Sequence, residues 1–110
     1  MFNHLTYEVP ILHLTNPDLA QMLLVIGFRE VEAEEPAPWP LRWFRCQGGP
    51  TLHLVGREAV PLGLGHFCVE VAQEVWDSLA RSVWCSRNSG SGRLWLEAYG
   101  LRVEVRPYGQ

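Results

Sequence analysis

Three histidines and one glutamate stand out in this sequence by type and spacing: His4, His53, His66 and Glu104. His4 and His66 are separated by 62 positions (66 − 4), and each opens a segment of alternating polarity, His4-Leu5-Thr6-Tyr7-Glu8-Val9 and His66-Phe67-Cys68-Val69-Glu70-Val71. His53 stands between Leu52 and Leu54, and Glu104 between Val103 and Val105. In a strand, neighbours point to opposite faces, so both polar side chains leave the apolar side of their strands. Imidazole and carboxylate donors of this kind suit a borderline divalent ion: Zn, Ni, Fe(II), Mn or Co. One histidine in an alternating strand is ordinarily a hydrogen-bonded structural residue. Recurrence at repeat-equivalent positions separates these from His13, which falls before the first helix and reads as solvated or capping.

Other side chains share those faces. Thr6 lies beside His4, and Trp95 shares a strand face with Arg93 and Glu97, so Thr6, Arg93 and Trp95 are candidate substrate contacts. With a metal held by His4, His53, His66 and Glu104, the ion would bind two substrate oxygens as a Lewis acid. Glu104 and His53 are then the candidate catalytic groups, Glu104 by exchanging between ligand and general base. Cys68 is on the face of His66 and reads as a small buried filler.

The elements that must position these groups come in two similar runs. The first is a strand over 3–9, a helix opened by Asn16-Pro17-Asp18 and closed by Gly27, then strands over 27–33, 41–46 and 51–55. The second begins with a strand over 65–71 and a helix whose apolar side carries Val75, Trp76, Leu79, Ala80 and Val83. A polar loop over 86–92 follows, then strands over 93–97 and 101–106 joined by the turn Ala98-Tyr99-Gly100. Trp76 and Trp84 read as helix packing. The Glu30, Glu32, Glu34 and Glu35 cluster reads as a solvated edge strand. Internal duplication outranks any single motif as a guide to architecture. It predicts one α+β domain over 1–110: module one about 1–56, a linker over 57–63, and module two about 64–107.

Composition narrows the function classes. A chain of 110 residues with 47% hydrophobic and 19% charged residues has the makeup of a globular domain, not of a disordered one. All nine basic residues are Arg, because the sequence has no Lys, which excludes Schiff-base chemistry and a P-loop lysine. A net charge of −3 argues against nonspecific binding to nucleic acid or anionic membrane. Cys46, Cys68 and Cys85 are odd in number, with no CxxC and no apparent secretory leader, so free thiols and a cytoplasmic location are expected.

Along nearly its whole length the chain resembles the vicinal oxygen chelate superfamily, which includes glyoxalases, bleomycin- and fosfomycin-resistance proteins and extradiol dioxygenases. Asn3-His4-Leu5-Thr6 resembles the family's opening strand, and Asp18-Leu19 through Gly27-Phe28 its helix with a terminal Gly-Phe. Gly65-His66-Phe67 resembles the start of the second module, and Gly100-Leu101-Arg102-Val103-Glu104-Val105 the closing strand. The resemblance implies two βαβββ modules forming a curved, cup-like mixed sheet with helices on its outer face. It also implies metal ligands at the positions of His4, His53, His66 and Glu104, a small oxygen-chelating substrate, and a homodimer. Position 53, where the family often has Glu or Gln, is His here, which argues against glutathione-dependent glyoxalase activity. The 86–92 loop lacks the lysine and tyrosine of a fosfomycin-type site. A metal-free drug- or metabolite-binding protein and a fold-retaining interaction domain are the rival functions.

Overall fold

The computed structural model describes residues 4–33, 38–46, 49, 51–58, 65–90 and 92–109, with the backbone alone for His4. The chain divides into two compact units, Met1–Leu62 and Gly63–Gln110.

The first unit begins with β1, His4–Pro10, which runs into a four-residue helix α1, Ile11–Leu14, and then α2, Pro17–Val25. The short α1 was not expected, since one turn is too brief to show periodicity; it places His13 on a helix and buries Leu14. The α2 boundary follows from capping: the Asn16 side chain accepts from the Asp18 N–H at 3.0 Å, and Pro17 stands at the first helical position. Its end follows from Gly27, whose φ of 101° turns the chain out of the helix while its N–H reaches the Leu24 carbonyl at 3.0 Å. Strands β2, Phe28–Val31, β3, Leu41–Cys46, and β4, Thr51–Arg57, complete the unit. The order across the sheet is β1-β4-β3-β2, with β1 parallel to β4 and the other pairings antiparallel.

The second unit repeats this order. β5, Phe67–Val71, leads into α3, Gln73–Ala80, followed by β6, Cys85–Asn88, β7, Leu94–Ala98, and β8, Leu101–Pro107. The sheet order is β5-β8-β7-β6, with β5 parallel to β8. Both units are therefore four-stranded mixed sheets of βαβββ connectivity. Two local expectations are corrected. The 86–92 loop is in its first part the edge strand β6, held to β7 by pairs such as Arg87↔Trp95 and Asn88↔Leu94. An edge strand with exposed Ser86, Arg87 and Asn88 lacks the apolar alternation that announces a strand. Val83 lies beyond α3 and is 96% exposed, so it is not part of the helix's apolar side. The β7–β8 turn is a two-residue hairpin with positive φ at Tyr99 and Gly100, 56° and 77°, and the Tyr99 hydroxyl accepts from Trp84 Nε1 at 3.0 Å.

Each sheet buries one face under its helix. Val9, Phe44, Leu52 and Leu54 are buried together with Leu19, Met22 and Leu23 of α2 in the first unit; Leu94, Leu96, Val103 and Val105 with Leu79 of α3 in the second. Burying such side chains supplies about 1.5–3 kcal/mol each before conformational entropy is counted. Arg42 ties β3 to the helical segment. It pairs bidentately with Glu30 of β2 at 2.6 and 2.9 Å, and its third nitrogen donates to the Leu14 carbonyl at 2.8 Å. The pair holds the Glu30 carboxyl below its ordinary range and pushes the guanidinium further up. Glu30 is thus a structural ion-pair partner. Glu34 and Glu35 lie outside the described residues.

Candidate functional site

The face of each sheet opposite its helix carries the candidate side chains, and strand register shows how closely the two units match. In the first unit Thr6 of β1 is opposite His53 of β4, which is opposite Trp43 of β3. In the second, Cys68 of β5 is opposite Glu104 of β8, which is opposite Trp95 of β7. The 62-position offset that relates His4 to His66 therefore also relates Thr6 to Cys68 (68 − 6), and His53 and Glu104 are register equivalents.

In the first row the His53 imidazole lies flat on the Trp43 indole, with ring centroids 4.0 Å apart and planes 15° from parallel. Trp43 is buried, and the stack fixes the plane of an otherwise half-buried imidazole. The His4 backbone is in register with Thr51, two pairs along the strand from Thr6 and His53. The His4 side chain is outside what is described.

The second row is built around a carboxylate. Glu104 is 7% exposed, the one charged residue in the buried set among the described residues. Its Oε2 accepts from the Cys68 thiol at 3.2 Å and from Arg106 Nε at 2.9 Å. Burial pushes the carboxyl up, but the hydrogen bonds from Cys68 and Arg106 and the charges of Arg106 and Arg93 together hold it below its ordinary range. Glu104 is consequently ionised at neutral pH. Both donors act on one oxygen, and Oε1 accepts no hydrogen bond from the described residues. Cys68 is exposed, which corrects the expectation of a buried filler. Its thiol is pushed up by burial of the sulfur's surroundings and by the neighbouring carboxylate, so it serves as a neutral donor.

Beside Glu104, Trp95 is buried and gathers three polar neighbours. His66, exposed and one residue ahead of β5, meets its ring edge-on at 4.9 Å. The guanidinium carbons of Arg102 and Arg87 lie 4.9 and 5.7 Å from its centroid. Arg93 is exposed just before β7.

Within one unit the fold thus joins Thr6 with His53, and Glu104 and His66 around Trp95. Among the described residues, no three His, Cys, Asp or Glu side chains are grouped so as to hold a metal ion. The donor types themselves fit a borderline divalent ion: imidazoles, one of them clamped, and an ionised carboxylate oriented through one oxygen, the other accepting from none of the described residues. Trp43, Cys68, Arg102 and Arg106 were not among the residues chosen from sequence. Alternation would have found the arginines, two positions either side of Glu104 on its own strand face; Trp43 needed the β3–β4 register.

No protein-family model and no curated protein matches the chain. Solved structures do. A candidate glyoxalase from Bacillus halodurans matches with a TM-score of 0.71 at 17% identity, covering 97% of this chain and 95% of its own. The fosfomycin resistance protein FosX from Mesorhizobium loti matches with a TM-score of 0.68 at 15% identity, covering 96% of this chain and 90% of its own. FosX from Listeria monocytogenes matches with a TM-score of 0.64 at 14% identity, covering all of this chain and 92% of its own. Likeness at such low identity, over nearly the full length of both chains, is a statement about architecture: the chain shares its fold with glyoxalase-family and FosX structures.

Proposed function

We propose that the protein is a divalent-metal-dependent enzyme acting on a small oxygen-chelating substrate, with His4, His53, His66 and Glu104 as the ligands. The observation that carries this reading is the state of Glu104: ionised, fixed through Oε2 by Arg106 and Cys68, and accepting at Oε1 from none of the described residues. Outer donors that orient a ligand in this way are characteristic of metal sites. Register equivalence of His53 and Glu104, and the 62-position offset that His4 and His66 share with Thr6 and Cys68, support the same set. When bound, a Zn, Ni, Fe(II), Mn or Co ion would act as a Lewis acid towards two substrate oxygens. Glu104 is ionised and so in the form that can accept a substrate proton, while its pair with Arg106 makes it a weaker base than a free carboxylate. The Trp43 stack restricts the His53 ring to one plane, and Thr6, Arg93 and Trp95 supply contacts to substrate. We place the enzyme in the cytoplasm as a homodimer, a state that would cover exposed sheet edges; among the described residues no helix is long and apolar enough to cross a membrane.

A second reading, metal-free binding of a drug or metabolite, draws on the Glu104–Arg106 ion pair, which already compensates the carboxylate without a metal ion. Metal analysis decides between them. Protein purified anaerobically without a histidine tag and offered each ion is expected to retain one stoichiometrically, and His4→Ala and Glu104→Ala to lose it. His53→Ala distinguishes four ligands, with a large loss of affinity, from three, with the ion kept. Failure of wild-type protein to retain any of these ions overturns the enzyme reading in favour of the binding one.

A further inference from the structure

We infer that Arg102, seated on Trp95, is an anion-recognition residue that takes a carboxylate joined to a flat apolar group. The inference rests on the Glu104-bearing sheet face being the ligand face, as proposed above, and does not require a metal.

Four observations carry it. The Arg102 guanidinium carbon lies 4.9 Å from the Trp95 ring centroid, so the flat cation rests against a buried indole. Among the described residues the Arg102 side chain makes no hydrogen bond and no ion pair, and its Nε is buried without an acceptor. A buried donor left unmade is costly, and a ligand oxygen would satisfy it. The nearest acidic residue in register is engaged elsewhere: Glu97 is opposite Arg102, but its Oε1 accepts from the Ser86 hydroxyl at 3.0 Å. Finally, the other arginines near Glu104 have different placements. Arg106 is engaged with the carboxylate at 2.9 Å, and Arg87 is an exposed side chain at 5.7 Å from the Trp95 centroid.

A guanidinium already held by stacking presents a planar fork, which matches a planar carboxylate through two parallel hydrogen bonds. A monoanion is favoured, because the Glu104 carboxylate, opposite Trp95 and two residues from Arg102 on the same strand face, repels a doubly charged group. The indole and the edge-on His66 ring provide flat surface for whatever carries the carboxylate.

The test uses benzoate, its neutral isostere benzamide, and phenyl phosphate, each titrated into the full chain with chelator present throughout. Arginine Nε–H resonances are followed by NMR, with the Arg102 signal assigned by its absence in Arg102→Lys. Benzoate is expected to shift the Arg102 Nε–H saturably and to bind about tenfold or more tighter than benzamide, a preference lost in Arg102→Gln. Arg102→Lys should restore only part of it, because a point charge lacks the fork. Both variants should remain folded with only a small change in melting temperature, since they lose the stack on Trp95 but no hydrogen-bond acceptor. Equal binding of benzoate and benzamide, undiminished benzoate binding by Arg102→Gln, or no saturable shift with any probe overturns the inference. Phenyl phosphate binding through Arg102 in preference to benzoate overturns the carboxylate assignment. Because no metal is present, these outcomes are independent of whether the protein retains an ion.

Discussion

Replacing Glu104 with Gln keeps the side chain's shape and removes its charge, which makes it the sharpest probe of the second sheet's polar face. The carboxylate accepts from two donors, Arg106 at 2.9 Å and Cys68 at 3.2 Å. A hydrogen bond to a charged group contributes about 1.5–3 kcal/mol, and a weak thiol donor much less. The Arg106 side chain is 32% exposed and can be rehydrated when its partner is neutralised, so the lower part of that range applies. The expected loss is about 1–2 kcal/mol at neutral pH, or about 4–10 °C in melting temperature for a chain of this size. The pH dependence is the stricter check. Because the folded carboxyl titrates below its ordinary value of 4.5, the native state binds fewer protons there than the unfolded chain. Glu104 therefore contributes fully above that value and loses its contribution as pH falls through the folded pKa. Urea unfolding of wild type and Glu104→Gln across pH should show a constant difference from about pH 6 to 8 that shrinks below about pH 4.5. A difference under about 0.5 kcal/mol at neutral pH, or one that persists unchanged in acid, refutes the assigned role.

Arg42→Ala removes the bidentate pair to Glu30 and the bond to the Leu14 carbonyl; with Glu30 43% exposed the ion pair is screened, so about 1–2 kcal/mol is expected in thermal or urea unfolding, falling little in high salt because the carbonyl bond remains the larger part. Gly56→Ala would bring a Cβ to 3.0 Å from side-chain carbons of Ile11 and Leu14 and 3.2 Å from Pro40, and should destabilise by about 1–3 kcal/mol, read as a lower urea midpoint with unchanged slope. Sedimentation at about tens of micromolar should give a dimer mass; monomer alone at that concentration counts against an obligate dimer.

Much of the fold was legible because its signals are local. The Asn16-Pro17-Asp18 start and Gly27 stop of α2 are chemical: an N-cap acceptor, a missing N–H where none is needed, and a residue free to take positive φ. The β3 limits at Leu41 and Cys46 and the Tyr99-Gly100 turn were read from alternation and turn residues in the same way. The recurrence of His4-Leu5-Thr6 as His66-Phe67-Cys68 announced the duplication, because similar sequence at a fixed offset demands similar structure. What escaped was held by neighbours. Strand β6 has no apolar stripe and exists through its ladder to β7, and α1 is a single turn packed by Leu14.

The candidate site divides along the same line. Residue types and alternation alone selected His53 and Glu104 and placed them opposite the apolar face, because strand geometry makes orientation a property of sequence parity. Which side chains they meet is a property of register between strands distant in the chain, which no local pattern encodes. Only the tertiary structure set His53 flat on Trp43, Cys68 and Arg106 on one oxygen of Glu104, and Arg102 on Trp95 without an acceptor. Those pairings decide the ionisation of the carboxylate and the availability of the guanidinium, since both depend on burial and on partners brought across the sheet rather than on the residues themselves.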